Sequence, residues 1–288
     1  MLRRLHACSR IGRQAAAIAI FGGSCLTCSY SEGRIYSSGE ILGRGVRLEF
    51  WKAKHPNIVI LDLDHEIVRL GMTRVRKAEC EGENFIHDAN AIMRTVVNFA
   101  LAELPKNDDI VVTTSEGHQC KGSELACLIY GVSMATSPVI QSELQQVLRD
   151  VLPSDSVLSC VQIEQGRNGC YKFLASTSPD TIEDHEILVL IPEISDVECV
   201  IGFIHYLAQH GVEKDKITVA TLVIHREAAD KFCQVCKETR LVTASFDAAK
   251  GSDGYIVPGI GNFEERYASL VSDTSCDNQD LSCSSQSR

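Results

Sequence analysis

Glu186-Ile187-Leu188-Val189-Leu190-Ile191-Pro192 holds an unbroken apolar run between a charge and a proline. A run this short and this apolar suits a strand buried on both faces, as in parallel sheets. Ile217–Ile224 repeats the pattern further along. Between the two, Cys199–Gln209 carries apolar residues at helical spacing and ends in His210-Gly211, a helix C-cap signal. A strand, a crossover helix and a second strand predict parallel neighbours in one sheet. Ligands of such sheets bind beyond the carboxyl ends of the strands, which points to the loops at 192–198 and 225–227.

The alternation extends both ways. Downstream, Ala228–Thr239 reads as a helix and Leu241–Phe246 as a strand. Upstream, Phe85–Leu104 has apolar residues at Ile92, Met93, Val96, Val97, Phe99, Ala100 and Leu104, a helical spacing stopped by Pro105. Ile110–Thr113, Leu125–Met134, Ser156–Ile163 and Tyr171–Leu174 are strand candidates, and Ser142–Val151 is a helix candidate. The expected fold is α/β, a central and mostly parallel sheet flanked by helices, in one domain over residues 57–270.

The chain has 288 residues, 44% hydrophobic and 23% charged, enough for one sizeable domain with tails. No apolar run approaches the ~20 residues that a membrane span needs. Residues 1–31 contain Arg3, Arg4, Arg10 and Arg13 and no acid, leaving 24 bases against 38 acids in the remainder, a net charge of −14. So acidic a body repels a phosphate backbone and argues against a broad nucleic-acid surface.

An acid-free leader with spaced arginines and serines has the composition of a mitochondrial presequence, so residues 1–31 are expected to direct the chain to the mitochondrial matrix. A secretory signal with Ala15–Leu26 as its apolar core, or a plain disordered N-terminus, are the alternatives. Residues 32–56 form an N-terminal extension with one apolar segment, Val46–Trp51. Residues 271–288 contain six serines with Asp, Asn and Gln and read as a disordered tail.

Thirteen cysteines lie in apolar runs or tails without the spacing of a disulfide framework, and read as reduced small hydrophobes. Cys25-x-x-Cys28 falls in the leader. Cys233-x-x-Cys236 falls in a helix with no second pair at zinc spacing, so no metal site is expected. His118, His185, His205, His210 and His225 have neither ligand spacing nor a nucleophile partner and read as surface or capping residues. Glu183-Asp184-His185-Glu186 reads as a solvated loop before a strand.

Gly254-Tyr-Ile-Val-Pro-Gly-Ile-Gly-Asn-Phe-Glu-Glu-Arg-Tyr267 is similar to the carboxy-terminal motif of uracil phosphoribosyltransferases, Tyr-Ile-(Val/Ile)-Pro-Gly-Leu-Gly-Asp-Phe-Gly-Asp-Arg-Tyr. The likeness continues upstream. Phe85-Ile86 to Leu104-Pro105 resembles the family's long helix, Thr113 to Gly122 its Thr-Pro-x-Gly…Gly segment, and Gly131-Val132-Ser133 its Gly-Val-Ser strand. Leu190 to His210-Gly211-Val212 matches the phosphoribosyl strand and helix in length. The resemblance spans about residues 56–267 and looks closer to the eukaryotic branch. It implies a type I phosphoribosyltransferase fold and a site for uracil, phosphoribosyl diphosphate and magnesium. Such a site needs backbone N–H groups around the 5′-phosphate, acids near the ribose and metal, and cations on the diphosphate.

The site residues depart from that pattern. The family's Asp-Pro-Met-Leu-Ala-Thr-Gly-Gly-Ser loop aligns without gaps on Ile191-Pro192-Glu193-Ile194-Ser195-Asp196-Val197-Glu198-Cys199. Ile191 cannot accept a ribose hydroxyl. Val197 and Glu198 carry Cβ atoms where glycines permit positive φ and close backbone approach. Asp196 and Glu198 would oppose a phosphate, each by about 4 kcal/mol at ~4 Å with an effective dielectric near ~20, against ~0.3–2 kcal/mol from the helix dipole. Thr136 replaces the arginine of the diphosphate segment and Pro138 its glycine. Gln162-Ile163-Glu164-Gln165 replaces Gln-Arg-Asp-Glu, a second cation lost, and Asn262 replaces an Asp.

The turn Tyr255–Gly261 is kept, with Tyr255, Ile256, Gly259, Gly261 and Asn262 as the positions that the resemblance places at uracil. A turn that the fold needs whether or not uracil binds is the other reading. Together these departures lead us to expect no catalytic residues, no metal and no cofactor, with magnesium and phosphoribosyl diphosphate only if the chain is active. The expected role is a structural or interaction subunit, with protein partners in a mitochondrial complex (ribosome-associated as one candidate) or as a homodimer. The alternatives are an active enzyme making UMP in pyrimidine salvage and a uracil- or nucleotide-binding module.

Overall fold

In the computed structural model Ile187 lies opposite Ile217 and Leu190 opposite Ala220 in a parallel ladder, so the two apolar runs are neighbouring strands. The structure describes residues 51–166, 170–175 and 182–268, with the backbone of Ser29–Tyr30 and Gly33–Arg34. The chain divides into two units, Met1–His55 and Pro56–Arg288. In the first, Ser29–Tyr30 pairs antiparallel with Gly33–Arg34. Apart from Ser29–Tyr30, the leader lies outside the described residues, as does the 271–288 tail.

The second unit runs β1 (Ile58–Ile60), α1 (Leu61–Asp64), α2 (Glu66–Val75), α3 (Gly82–Ala102), β2 (Lys106–Thr113), β3 (Gln119–Leu125), β4 (Leu128–Ala135) and α4 (Pro138–Val151). It continues through β5 (Val157–Gln165), β6 (Tyr171–Ala175), β7 (His185–Leu190), β8 (Glu193–Ile194), α5 (Val197–Gln209), β9 (Ile217–His225) and α6 (Arg226–Val235). It closes with β10 (Arg240–Asp247), β11 (Ala249–Lys250), β12 (Ile256–Val257) and α7 (Phe263–Ala268). The main sheet has the order β1-β10-β9-β7-β4-β5-β6, with β8 paired to β9. Every pairing in it is parallel except β5 with the edge strand β6.

The central strand β9 is buried along its whole length, which explains why it reads as a continuous apolar run. Leu188, Leu190, Ala220, Leu222, Val242 and Ala244 point to one face, where α3 and α4 cover them. The α3 stripe of Phe85, Ala89, Ile92, Met93, Val96, Val97 and Ala100 repeats every three or four residues. Each of its larger side chains contributes about 1.5–3 kcal/mol on burial, and the two alanines less. The antiparallel hairpin β2–β3 pairs outside the main sheet and is mostly exposed on both strands. Among the described residues no helix is long and apolar enough to cross a membrane.

Several boundaries differ from expectation. Gln119–Leu125 belongs to the hairpin and only Leu128–Ala135 to the sheet. Helix α4 starts at Pro138, a residue preset for the first helical position. Strand β9 runs straight into α6 with His225 as N-cap, so 225–227 is no loop. Helix α2 escaped the sequence reading although Val68, Met72 and Val75 mark its buried face. His185 and His225 are core residues, 7% and 5% exposed, which corrects the surface reading. The Nδ1 of His225 has no hydrogen-bond partner among the described residues.

Candidate functional site

The loop after β7 turns back onto the sheet. Ile191 is buried, and its N–H donates to Ala220 O at 3.0 Å. The carbonyl of Pro192 accepts from Leu222 N at 3.0 Å and from Thr221 Oγ1 at 3.2 Å. Glu193 and Ile194 then pair beside Val223 and Ile224. Asp109 is the single non-glycine residue of positive φ among the described residues, so residues 191–198 keep ordinary backbone angles. The segment is stitched into strand geometry and does not curl around an anion.

Asp196 is the N-cap of α5, and its carboxylate accepts the Glu198 N–H at 3.0 Å. The Tyr171 hydroxyl of β6 donates to the same carboxylate. Burial, together with this carboxylate, pushes the tyrosine's pKa above its ordinary value. Glu198 turns to Lys231 of α6 in an ion pair, and Val197 is buried. The helix N-terminus that could take a phosphate therefore already has an anion, supplied by the chain. Partnering by Tyr171 and Lys231 quenches much of the repulsion expected from bare carboxylates, so the obstacle is occupancy.

Thr136 ends β4. Its hydroxyl lies 2.5 and 2.6 Å from the two carboxylate oxygens of Glu264, and its N–H donates to one of them at 3.3 Å. Glu193 lies in the same neighbourhood. Burial is the main cause that pushes its pKa up to about 7; the Glu264 charge adds to it and Lys250 opposes it.

The turn after β12 is built on two arginines. The Arg76 guanidinium donates to Asp247 at 2.9 and 2.8 Å, to Gly259 O at 2.9 Å and to Ser245 Oγ at 2.7 Å. The N–H of Gly259 donates to Asp247 at 2.9 Å, and Ser245 Oγ donates to Asp62 at 2.6 Å. Burial pushes the Asp62 pKa up. Arg266 donates to the carbonyls of Ile260, Val75, Lys77 and Cys80 and lies 3.9 Å over the Phe85 ring. At Gly259 (φ 61) a Cβ would sit 2.1 Å from Ile256 O, so only glycine fits. Ile256 is buried and ladder-paired with Lys250. Tyr255 is exposed, and its hydroxyl accepts from Asn262 Nδ2 at 3.1 Å.

Of the positions singled out from the sequence, Thr136 thus joins the 255–264 segment through Glu264. Asp196 and Glu198 instead engage β6 and α6. The residues that sequence reading missed are Arg76, Asp247, Tyr171, Lys231, Glu193 and Glu264. Only the last two left a signal, since they stand where the motifs quoted above have Met and Gly.

The model of the family described as uracil phosphoribosyltransferase matches residues 62–268. The chain belongs to the uracil phosphoribosyltransferase family. It is 26% identical over 211 residues to the uracil phosphoribosyltransferase of Dictyostelium discoideum, covering 73% of this chain and 95% of that protein. Its identity to the Saccharomyces cerevisiae uracil phosphoribosyltransferase is 26% over 212 residues, with 73% and 95% covered. Among solved structures, the AQ2163 protein of Aquifex aeolicus superposes with a TM-score of 0.59 at 17% identity, over 73% of this chain and 96% of that one. That likeness bears on the fold alone, and the type I phosphoribosyltransferase-like architecture follows from the family match together with the mostly parallel sheet flanked by helices.

The residues present do not fit the family's magnesium-bound phosphoribosyl diphosphate. Ile191 offers the ribose no acceptor. The N-terminus of α5 is occupied by Asp196, and the diphosphate position meets Glu264 in place of a cation. Among the described residues no group of three or more His, Cys, Asp or Glu could hold a metal ion. Cys233 and Cys236 are both buried, with thiols pushed up to about 12 and about 11 by desolvation.

Proposed function

We propose that this uracil phosphoribosyltransferase-like chain is catalytically degenerate and acts as a structural or interaction subunit. The observation that carries this reading is Asp196. A family site must receive a 5′-phosphate at the N-terminus of α5, and here the chain's own carboxylate accepts the Glu198 N–H and the Tyr171 hydroxyl at that point. Losing the phosphate, ribose and diphosphate contacts would cost ~2–4 kcal/mol each, or ~10²–10³ in rate. Such terms are non-additive, and two of them together lower the rate by at most ~10⁴–10⁶.

A partner-binding role draws support from the hairpin β2–β3. A two-stranded hairpin is marginal by itself, and this one exposes Val111 at 65% and Val112 at 42%. The mitochondrial location rests on the arginine-spaced leader, and a ribosome-associated assembly is one host for an acidic subunit.

The test uses the purified chain with radiolabelled uracil, phosphoribosyl diphosphate and magnesium. UMP should not form above a boiled control; product above that level at any pH from about 6 to 9 overturns the degenerate reading. Native protein from mitochondria should migrate within a large assembly, and migration as a free monomer removes the subunit role. Stabilisation against heat by uracil or UMP would favour a nucleotide-binding module instead.

A further inference from the structure

We propose that Glu264 is an internal occluding ligand, whose carboxylate fills an oxoanion position at Thr136 and shuts inorganic pyrophosphate and its esters out of the site. The inference rests on the degenerate reading above and adds how one part of the site is kept closed.

The geometry is that of a bound anion. Thr136 offers a hydroxyl and a backbone N–H, and both contact the carboxylate of Glu264. Two convergent donors on one carboxylate make a charge-assisted pair, the arrangement that also serves phosphate oxygens. Helix α4 starts immediately beyond, at Pro138, and its N-cap Ser137 makes no side-chain capping bond. The positive end of that helix adds to the attraction for a negative group at Thr136.

Glu264 is also held in place. It sits between Phe263 and Tyr267, which are buried at 1% and 0% exposure. The Tyr267 hydroxyl is hydrogen bonded to Asn90 at 2.6 Å, and Arg266 is fixed by the backbone carbonyls of Val75 and Lys77 at the end of α2. The short helix α7 cannot swing away without breaking these contacts. A tethered carboxylate competes at high effective concentration, so a free oxoanion meets both steric and like-charge exclusion. Glu193 adds a second acid beside it, with Lys250 as the nearby cation. The donors themselves are intact. These two Thr136 donors remain under the cover although the arginine of the segment is gone, so removing the cover should restore anion binding without restoring catalysis.

The experiment titrates the full chain with inorganic pyrophosphate, with and without magnesium, and follows binding by calorimetry and phosphorus NMR. The native chain should show no saturable binding. Glu264→Ala should bind at least about tenfold more tightly than the native chain, and adding Thr136→Val to it should remove most of that gain. Should Glu264→Ala fail to fold, Glu264→Gln, which keeps the volume and loses the charge, carries the same comparison with a smaller gain. Equal binding by the native chain and whichever variant folds overturns the proposal, as does a gain that survives Thr136→Val. A parallel uracil transferase assay separates the two readings. Activity in the native chain refutes the degenerate reading, whereas an inactive native chain with no gain in the variant refutes the occlusion alone.

Discussion

Replacing Asp247 with Ala should destabilise the domain more than any surface substitution. Asp247 is buried and holds Arg76 through two hydrogen bonds of 2.9 and 2.8 Å, while also accepting the Gly259 N–H at 2.9 Å. Its loss leaves a mostly buried guanidinium hydrogen bonded, among the described residues, to Ser245 and Gly259 alone, and orphans one backbone donor. Breaking a buried pair from one side costs about 3–5 kcal/mol, a figure that already includes most of the ~1–3 kcal/mol for an unsatisfied N–H. With a urea dependence of ~2 kcal/mol/M for a domain of this size, the unfolding midpoint should fall by about 1.5–2.5 M. The assay is equilibrium urea denaturation followed by far-ultraviolet circular dichroism. Arg76→Met combined with Asp247→Leu should cost at least about 1.5 kcal/mol less than the sum of the two single changes, because no charge is then stranded. A midpoint shift under about 0.5 M for Asp247→Ala, or strict additivity in the double variant, would refute the reasoning.

Glu193 should make stability fall as pH rises. Its folded pKa of about 7 exceeds the ordinary 4.5, so between those values the native state binds more protons than the unfolded one. The protonated carboxyl is accommodated fully below about 4.5, and the cost of ionising it is complete above about 7. Glu193→Gln should therefore gain ~2–3 kcal/mol on the native chain between pH 5 and pH 8, read from urea melts at the two pH values; parallel pH profiles would contradict this. Gly259→Ala should lose about 2–4 kcal/mol, since its Cβ would lie 2.1 Å from Ile256 O; a near-neutral urea midpoint would speak against the turn geometry. Buried Cys233 and Cys236 should resist iodoacetamide in the native protein at pH 8 while exposed Cys120 and Cys170 react. Peptide mass spectrometry scores this, and rapid alkylation of the first pair would exclude it.

The sheet was legible because its central strands are buried on both faces and so read as continuous apolar runs; β7 and β9 needed no partner to be recognised. The long stripe on α3 was legible for the same reason at helical period. The hairpin β2–β3 was only half seen, because strands exposed on both sides carry no alternation. At the site, the rewritten loop could be placed by counting back from His210-Gly211, and Asp196 and Glu198 were found that way. Their partners could not be. Tyr171 and Lys231 are polar residues in ordinary elements, and nothing local marks which carboxylate each will meet. Arg76 and Asp247 are separated by 171 positions, a distance that no periodicity reaches. Glu264 was readable, standing where the motif has glycine, yet its meaning depended on the unseen approach of Thr136.

The two arginines of the carboxy-terminal turn impose an order on folding. Arg76 finds acceptors 169 to 183 positions later, and Arg266 reaches back 191 positions to Val75. On a chain growing from its amino end, helix α2 must wait for nearly the whole domain before its cation is neutralised. Closure of so long a loop is slow relative to local helix formation. During that interval the half-made sheet displays an unpaired edge and an uncompensated charge, the condition in which chains associate wrongly. A chain ending before Arg240 would lack both β10 and the Asp247 carboxylate, and so remain permanently in that state.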